Sequence, residues 1–437
     1  MTGAGARRVR TLGALGLLSL ALPASAAVTA AALARFALGR GNGTVAAEPR
    51  TILVSGGKMT KALQLCRSFH DAGHRVVLVE SGKDRLTGHR FSRAVDRFHV
   101  VPDARADNYA DALLTIIEQE GVDVYVPVCS PAASLPDAQA KALLSKHCEV
   151  FHLEPETVEM LDDKFAFSQA AKDLGLSVPD SRRITDAQQV LDFDYSAAGR
   201  PYILKSIAYD PVHRLDLTRL PLGTPAAMAA FVQSLPISPE NPWILQEFIE
   251  GQEYCTHSTV RDGQLRVYLC CPSSPFQINY EMVDKPGIRQ WVDRFVSAER
   301  LTGQVSFDFI EDAHGEVFAI ECNPRTHSAI TMLYDHPGVA AAYLEPGTDV
   351  VVPTATSRPT YWIYHEVWRL LRGPARPARL RTILAGKDAI FCSSDPLPFL
   401  LEHHVAIPWL LLQKLVNGGA WIKIDFNIGK LVELGGD

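Results

Sequence analysis

The chain has 437 residues, of which 47% are apolar and 21% charged, values that are typical of a globular protein with about two or three domains. Its formal net charge is -6 and it contains no basic tract, which argues against nucleic acid as a partner. The eight cysteines form no C-x-x-C pair and have no zinc spacing with histidine, so reduced and mostly buried thiols are expected.

The N-terminal segment differs from the rest of the chain. Three arginines within residues 7–10 precede an uncharged run over residues 11–34, and this run exceeds the roughly 20 residues that a bilayer-spanning helix needs. Residues 24–26 resemble the cleavage site of a secretory signal. Pro23 is expected either to kink a single helix or to divide a helical hairpin. The pattern alone therefore favours export, with membrane association through residues 11–34 as the alternative.

A parallel, doubly wound sheet is predicted for residues 50–150, because short apolar strands alternate with helices. Its ligand edge lies at the carboxyl ends of the strands. There, Gly57 and Lys58 follow the first strand, but the spacing is not that of a phosphate-binding loop. A tight turn and a backbone site for a substrate carboxylate both remain open interpretations. The predicted strands are 51–55, 75–80 and 122–128.

From about residue 151 the pattern becomes α+β with antiparallel strands. The last ninety residues contain a strand-like segment at 360–365 and two very apolar segments at 396–399 and 408–412, which fit either a core or a surface on a membrane. The elements predicted before them are helices at 162–174, 224–234 and 288–301 and strands at 202–206, 243–249, 255–260 and 264–271.

A predicted β-hairpin over residues 306–325 carries the chemistry. Asp308 and Glu321 lie within apolar strands, where an unpaired charge is costly, and Asn323 follows two residues later. Two carboxylates and an amide oxygen are ligands that Mg²⁺ or Mn²⁺ accepts, together with substrate phosphates. Arg325 comes directly after them and can reach a phosphate. The hairpin therefore predicts a metal site.

The register of the hairpin follows from its predicted turn at residues 312–315. If Glu311 pairs with Glu316, Asp308 lies opposite Ala319. Because side chains alternate between faces with a period of two, Glu321 would then share the face of Asp308.

Four separated elements resemble the ATP-grasp fold, which holds ATP between two α+β lobes. In chain order they are Lys164, Lys205, the segment QEFIEGQE at 246–253, and the hairpin with Asp308 and Glu321. The resemblance implies that the two lysines neutralise the phosphates. It also implies that backbone groups of the hinge read the adenine and that a later glutamate binds the ribose. The implied cofactor-binding residues are Lys164, Lys205, Gln246, Glu247, Ile249 and Glu253.

One segment departs from the ATP-grasp pattern. Residues 206–214 contain no glycine, although many members have a glycine-rich lid there. His213 and Arg214 are equally candidates to replace the lid by side chain and to be solvated lid residues.

A closer resemblance covers nearly the whole chain and concerns the mycosporine-glycine synthase family. That family makes ultraviolet-screening compounds. The resemblance implies ATP-dependent ligation of glycine to 4-deoxygadusol through a phosphorylated intermediate, giving mycosporine-glycine, ADP and phosphate. The alternatives are a carboxylate–amine ligase acting through an acyl phosphate and a non-catalytic binding protein. The similar segments are ILVSGGKMTKALQL (52–65), YVPVCSP (125–131), MLDDKFAF (160–167), PRTHSAITM (324–332) and KIDFNIGKLVELGGD (423–437).

The resemblance also implies site roles and a domain plan. Arg325 and His327 are the catalytic candidates, although His327 is equally interpreted as a satisfied loop histidine. Substrate contacts are expected at Ser328, Gly57 and Lys58. An enzyme that consumes ATP belongs in the cytoplasm, which favours a membrane-associated segment over export. The implied plan is an apolar N-terminal segment and linker (1–49), a Rossmann-like pre-ATP-grasp domain (50–150), an ATP-grasp domain (151–345, lobes 151–245 and 246–345) and a C-terminal extension (346–437).

Overall fold

A computed structural model describes residues 4–38, 46–128, 130–207, 212–213, 216–273, 279–373 and 376–433, and the structural statements below concern these residues. Several predicted features therefore lie outside the described residues. They are most of the linker, Cys129, much of the lid segment with Arg214, and the last four residues of the chain.

The N-terminal segment is one helix, α1 (Ala4–Leu38). It continues through Pro23, so the structure selects the single helix over the helical hairpin. The helix packs against the C-terminal part of the chain, where Thr11 Oγ1 accepts a hydrogen bond from Trp421 Nε1 at 3.0 Å.

The predicted parallel sheet is confirmed, with strand order β3-β2-β1-β4-β5. Alternate residues of its first strand face opposite helix layers: Ile52 packs toward the first helix that follows, and Leu53 toward the next. The elements are β1 (Thr51–Val54), α2 (Thr60–Asp71), β2 (Arg75–Ser81), β3 (Arg97–Val101), α3 (Tyr109–Glu120), β4 (Val124–Val126), α4 (Ser134–Leu144) and β5 (Glu149–Val150).

Two antiparallel sheets follow. The small sheet has the order β6-β8-β7 and the large sheet the order β10-β9-β12-β13. The elements are α5 (Pro155–Asp162), α6 (Lys164–Asp173), β6 (Ser181–Ile184), α7 (Ala187–Leu191), β7 (Tyr202–Ser206), α8 (Pro225–Gln233), β8 (Trp243–Glu247), β9 (Gly251–Arg261), β10 (Gln264–Pro272), β11 (Asn279–Tyr280), α9 (Pro286–Ala298), β12 (Gly303–Asp312) and β13 (Val317–Asn323).

The C-terminal segment packs onto the first sheet through α2. Thr60 N donates to Asn427 O at 2.9 Å, and Arg67 Nε donates to Asp395 Oδ2 at 2.9 Å. The elements are α10 (Val339–Leu344), β14 (Thr360–Tyr361), α11 (Ile363–Arg372), α12 (Arg376–Ala385), β15 (Lys387–Asp388), α13 (Leu397–Leu401), a π-helix (Glu402–Ala406), α14 (Ile407–Asn417), β16 (Lys423–Asp425) and β17 (Lys430–Val432).

The predicted strand at 360–365 is wrong after Tyr361, because α11 begins at Ile363. The Asp388 carboxylate accepts a hydrogen bond from Ile363 N at 2.8 Å and so satisfies a free amide at the helix start. That carboxylate lies 25 residues later in the chain, and the local pattern contains no sign of it.

Candidate functional site

The hairpin exists, but its predicted register is wrong near the turn. Glu311 pairs with Val317 instead of Glu316. Asp312 N donates to Glu316 O at 2.9 Å, and Gly315 has a φ of +79°, so the loop between Asp312 and Glu316 has three residues instead of the expected four.

A β-bulge then restores the predicted face. Phe309 pairs with Ala319, the residue that was expected opposite Asp308, and the register shifts between Phe309 and Asp308. Ile320 is the extra residue, and Asp308 lies directly opposite Glu321. Without the bulge, Glu321 would turn to the other side of the sheet.

The three predicted metal ligands share one face of β12 and β13. Asn323 Nδ2 lies 3.4 Å from Asp308 Oδ2. The Arg325 guanidinium donates to Asn323 Oδ1, and its Nη1 lies 3.7 Å from Asp162 Oδ1. The structure therefore brings Asp308, Glu321 and Asn323 together with Arg325, and it adds Asp162, which sequence reasoning missed although it stands two residues before Lys164.

The electrostatics of this face show an excess of buried negative charge. Burial, followed by the nearby Glu321 carboxylate, raises the pKa of Asp308 to about 7, although Arg325 opposes that shift. Burial lowers the pKa of the Lys205 ammonium, and Glu321 partly offsets the effect. Lys164 Nζ lies 3.8 Å from Glu321 Oε1. Two lysines thus face the carboxylates, with Asp308 incompletely neutralised.

The two lysines are positioned by different elements. Lys205 is on β7 and shares a face of the small sheet with its pairing partner, Ile244. Lys164 is the first residue of α6, whose N-cap Asp163 accepts from the amides of residues 165 and 166 at 2.9 Å each. The ring of His213 packs at 5.6 Å from that of Trp243, on the opposite face from Lys205.

The hinge residues lie between the two antiparallel sheets. Gln246 and Ile249 are buried, and the backbone of Ile249 makes no hydrogen bond within the described part of the chain. Glu247 N already donates to Asp180 O at 2.8 Å, so its predicted adenine contact would fall to its carbonyl oxygen. Glu253 lies near Asp308 on the adjacent strand β9, where its carboxylate contributes to the raised pKa of Asp308.

Two nitrogens of His327 make hydrogen bonds within the protein, the backbone N and the ring Nδ1. Its backbone N donates to His257 Nδ1 at 3.2 Å, and its ring Nδ1 accepts from Ala329 N at 3.3 Å. A neutral ring with this contact carries its proton on Nε2, so a free lone pair for a general base is missing in this arrangement. Lys61 Nζ donates to Thr326 O at 2.5 Å and holds the same loop from α2.

Neutral donors lie beside this loop, and no motif in the chain indicates them directly. The Cys255 thiol is hydrogen-bonded to Cys271 and His327, and Tyr280 is hydrogen-bonded to Ser328. Burial keeps the pKa of Tyr280 well above its ordinary value, and the hydrogen bond with Cys271, followed by burial, does so for the pKa of Cys255. Both groups are therefore protonated. Cys255 pairs with Asp308 in the sheet, so strand register could have located it.

The loop at Gly57 and Lys58 is a tight turn whose polar groups are already used. Gly57 N donates to Val79 O at 3.1 Å, and Lys58 N donates to a carboxylate oxygen of Glu80 at 2.9 Å. Lys58 Nζ pairs with Asp84 at 2.5 Å. The structure therefore favours the tight turn over a free backbone site for a substrate carboxylate.

Comparisons with known proteins identify the fold. No protein-family model matches the chain. The C-terminal section of the carbamoyl phosphate synthase large chain of Methanopyrus kandleri is 22% identical over 234 residues, which is 48% of this chain and 41% of the relative. The large chain from Pseudothermotoga lettingae is 22% identical over 341 residues, covering 72% and 29%. The chain thus spans less than half the length of these curated relatives.

Solved structures share more of the architecture. N5-carboxyaminoimidazole synthetase from Staphylococcus aureus, in complex with ADP, has a TM-score of 0.53 at 14% identity and covers 73% of this chain and 82% of its own. Biotin carboxylase from Campylobacter jejuni, in a β-γ-ATP complex, has a TM-score of 0.52 at 16% identity, covering 69% and 73%. The chain therefore has the ATP-grasp fold, as the order of its lysines, hinge and hairpin predicted.

Proposed function

We propose that the chain is an ATP-dependent ligase that forms a carbon–nitrogen bond and releases ADP and phosphate. The observation that carries the proposal is the convergence of Asp308, Glu321 and Asn323 opposite Lys164 and Lys205 in an ATP-grasp fold. Structures with this fold were solved with ADP and with β-γ-ATP, which supports a nucleotide in the same cleft.

The chemistry of the donors fits a divalent cation. Within the described residues, no group of three or more His, Cys, Asp or Glu side chains could hold a metal by itself. An ion would therefore depend on Asp308, Glu321, the Asn323 amide and oxygens of the nucleotide, which is the ligand set that Mg²⁺ prefers and that Mn²⁺ accepts. Burial, followed by the Glu321 carboxylate, raises the pKa of Asp308, so a cation bound there would favour its ionised form. Bound there, the ion would supply charge neutralisation to the phosphates.

The protein side chains then divide the remaining work. Lys205 neutralises phosphate oxygens from the small sheet and Lys164 does so from the start of α6, and Glu253 accepts hydrogen bonds from the ribose. Arg325 is held beside the metal ligands by Asn323 and can stabilise a transferring phosphoryl group. Positioning and electrostatics thus lower the barrier to phosphoryl transfer.

The substrates that we propose are 4-deoxygadusol and glycine. ATP phosphorylates an enol oxygen of the cyclohexenone. The glycine amine then adds to the carbon that bears this oxygen, the bond from that carbon to the phosphate oxygen breaks, and the nitrogen loses a proton. The family resemblance of residues 52–65 and 324–332 supports these substrates. The neutral donors Cys255 and Tyr280 beside the loop also suit an uncharged, hydroxylated ring.

A carboxylate–amine ligase is the second candidate. The relatives and structural neighbours are named carbamoyl phosphate synthase, N5-carboxyaminoimidazole synthetase and biotin carboxylase, which favours activation of a carboxylate as an acyl phosphate. The nucleotide and metal residues would be identical in both reactions. In either case, consumption of ATP places the enzyme in the cytoplasm.

A product assay separates the candidates. The chain is incubated with ATP, Mg²⁺, 4-deoxygadusol and a panel of amino acids, and ADP and ultraviolet B absorbance are followed together. ADP release with a new absorbing product only when glycine is present supports mycosporine-glycine synthesis. ADP release with a carboxylic acid and an amine, without that product, supports the second candidate. A chain that releases no ADP with any substrate contradicts both.

A further inference from the structure

The polarity of α1 is reversed relative to that of a helix on a water-soluble body. Its buried residues recur at intervals of seven, seven, four and three, which places them on one stripe against the protein. Three of these five carry hydroxyl groups. The buried residues are Thr11, Leu18, Ser25, Thr29 and Ala32. The large apolar residues exposed within the uncharged run and just beyond it are Leu12, Leu17, Leu20, Leu22, Val28, Leu33, Phe36 and Leu38.

Polar contacts hold the buried stripe along much of its length. Thr11 is bonded to Trp421, and Ser25 Oγ lies 3.0 Å from Tyr364 Oη. Arg10 Nη1 donates to Trp421 O at 3.1 Å. Small and hydroxyl-bearing residues at a helix seam are typical of helices that pack together in lipid, where burial of leucine offers no advantage. The helix therefore lies flat along the body.

The outward face continues onto a neighbouring helix. From Thr11 to Ala34 the chain has no charged residue, a length of about 36 Å at 1.5 Å per residue. Helix α14 packs against α1 and exposes Trp409, Leu412 and Val416, which are spaced as one helical stripe. Arginines flank the uncharged face at residues 7–10 and at Arg35.

We propose that α1 and α14 form a docking face for a lipid bilayer and that both helices lie in the plane of the membrane interface. An apolar outer face with basic residues at its ends and a tryptophan beside it is the composition that interfacial helices have. A helix that crossed the bilayer would have to break its contacts with Trp421 and Tyr364. This inference is independent of the reaction catalysed.

Vesicle flotation tests the docking face. The full chain is mixed with phosphatidylcholine vesicles that contain phosphatidylglycerol. We expect wild type to float and the variant Leu17→Asp/Leu20→Asp to bind at least about tenfold more weakly, because charged groups replace two exposed leucines that the bilayer would cover. The matched control Val100→Asp/Leu217→Asp changes two similarly exposed apolar residues elsewhere and should float like wild type. Wild type that stays with the soluble fraction, or equal binding by the three proteins, overturns the proposal.

The in-plane arrangement has its own test. The chain, with a tag placed before Met1, is synthesised in the presence of vesicles, and protease is then added outside them. We expect the protease to digest both the tag and the rest of the protein, since both ends of α1 stay on the outer side of the membrane. A protected tag identifies a spanning helix and overturns the in-plane arrangement. If wild type forms a dimer in lipid-free buffer and does not bind vesicles, the partner of this face is a second copy of the chain, and the proposal is overturned as well.

Discussion

At the scale of single residues, a carboxylate pair on two adjacent strands dominates the candidate site. Asp308 and Glu321 face each other across the hairpin, Lys164 Nζ lies 3.8 Å from Glu321 Oε1, and Lys205 is close enough to interact with the Glu321 carboxylate. The amide oxygen of Asn323 is bonded to the Arg325 guanidinium, a positive group beside the place where a metal ion would add its own charge. Under the proposed function, these few groups set the affinity for a nucleotide and its metal.

Removal of Glu321 should abolish turnover and leave the fold intact. Its side chain is 37% exposed, so Glu321→Ala costs little packing, whereas loss of a metal ligand should reduce turnover by about a thousandfold or more. Steady-state ADP release and thermal unfolding measure the two effects. Glu316→Ala in the turn of the same hairpin is the matched control and should keep its activity. Substantial turnover in Glu321→Ala would exclude this residue from the metal site.

The raised pKa of Asp308 predicts a pH dependence of stability in the metal-free protein. The folded value of about 7 lies above the ordinary value of 3.8, so the native state binds the extra proton between them. The contribution is fully present below about pH 4 and is lost as the pH rises through about 7. We expect Asp308→Asn to flatten the fall in the free energy of unfolding over this interval, as measured by urea denaturation.

Two further measurements make the pH prediction specific. Burial also raises the pKa of Glu402 to about 7, so Glu402→Gln is the matched control, and its effect should add to that of Asp308→Asn. Mg²⁺ should stabilise wild type more at pH 8 than at pH 6, because protons compete with the ion for Asp308. Equal stabilisation at both pH values would contradict a metal site at this carboxyl group.

At the scale of secondary structure, long-range contacts decide where elements begin and which way they face. The bulge at Ile320 turns Glu321 toward Asp308. The Asp388 carboxylate accepts from the amides of Ile363, Ile390 and Phe391 at 2.8, 3.0 and 2.7 Å and thereby begins α11.

Loss of the Asp388 carboxylate should destabilise the C-terminal segment. Asp388→Ala leaves three amides without their acceptor, and we expect a loss of about 2–4 kcal/mol in the free energy of unfolding. Urea denaturation with a far-ultraviolet helix signal provides the measurement. Asp173→Ala, at the exposed end of α6, is the control and should change the stability by less than about 0.5 kcal/mol. An equally small loss of stability in Asp388→Ala would show that this carboxylate does not stabilise the start of α11.

At the scale of the whole molecule, α2 joins the first sheet to both the candidate site and the C-terminal segment. Lys61 donates to Thr326 O, three residues after the proposed metal ligand Asn323, and Thr60 N donates to Asn427 O. The C-terminal segment in turn supports α1 through Trp421 and Tyr364. The loop after the hairpin is therefore held by residues more than 200 positions away.

Lys61→Met should separate nucleotide binding from turnover. Lys61 is buried and bonded to the carbonyl of Thr326, so its loss frees the loop that carries His327 and leaves Lys164 and Lys205, the proposed phosphate contacts, in place. We expect turnover to fall by about tenfold or more, with little change in the affinity for ATP measured by calorimetry. The exposed substitution Lys172→Met should leave both unchanged. A weaker ATP affinity with normal turnover would contradict a positioning role for Lys61.

The amino-acid sequence by itself determined the parallel sheet, the ATP-grasp fold and the order of lysines, hinge and acidic hairpin. The parallel sheet rests on local periodicity, and the ATP-grasp fold rests on the resemblance of the ordered lysines, hinge and hairpin to that fold. Only the tertiary structure decided the register of the hairpin, the start of α11, the occupied turn at Lys58 and the reversed polarity of α1. Each of those depends on a hydrogen-bond partner or a buried surface supplied by another part of the chain, and periodicity carries no information about such distant partners.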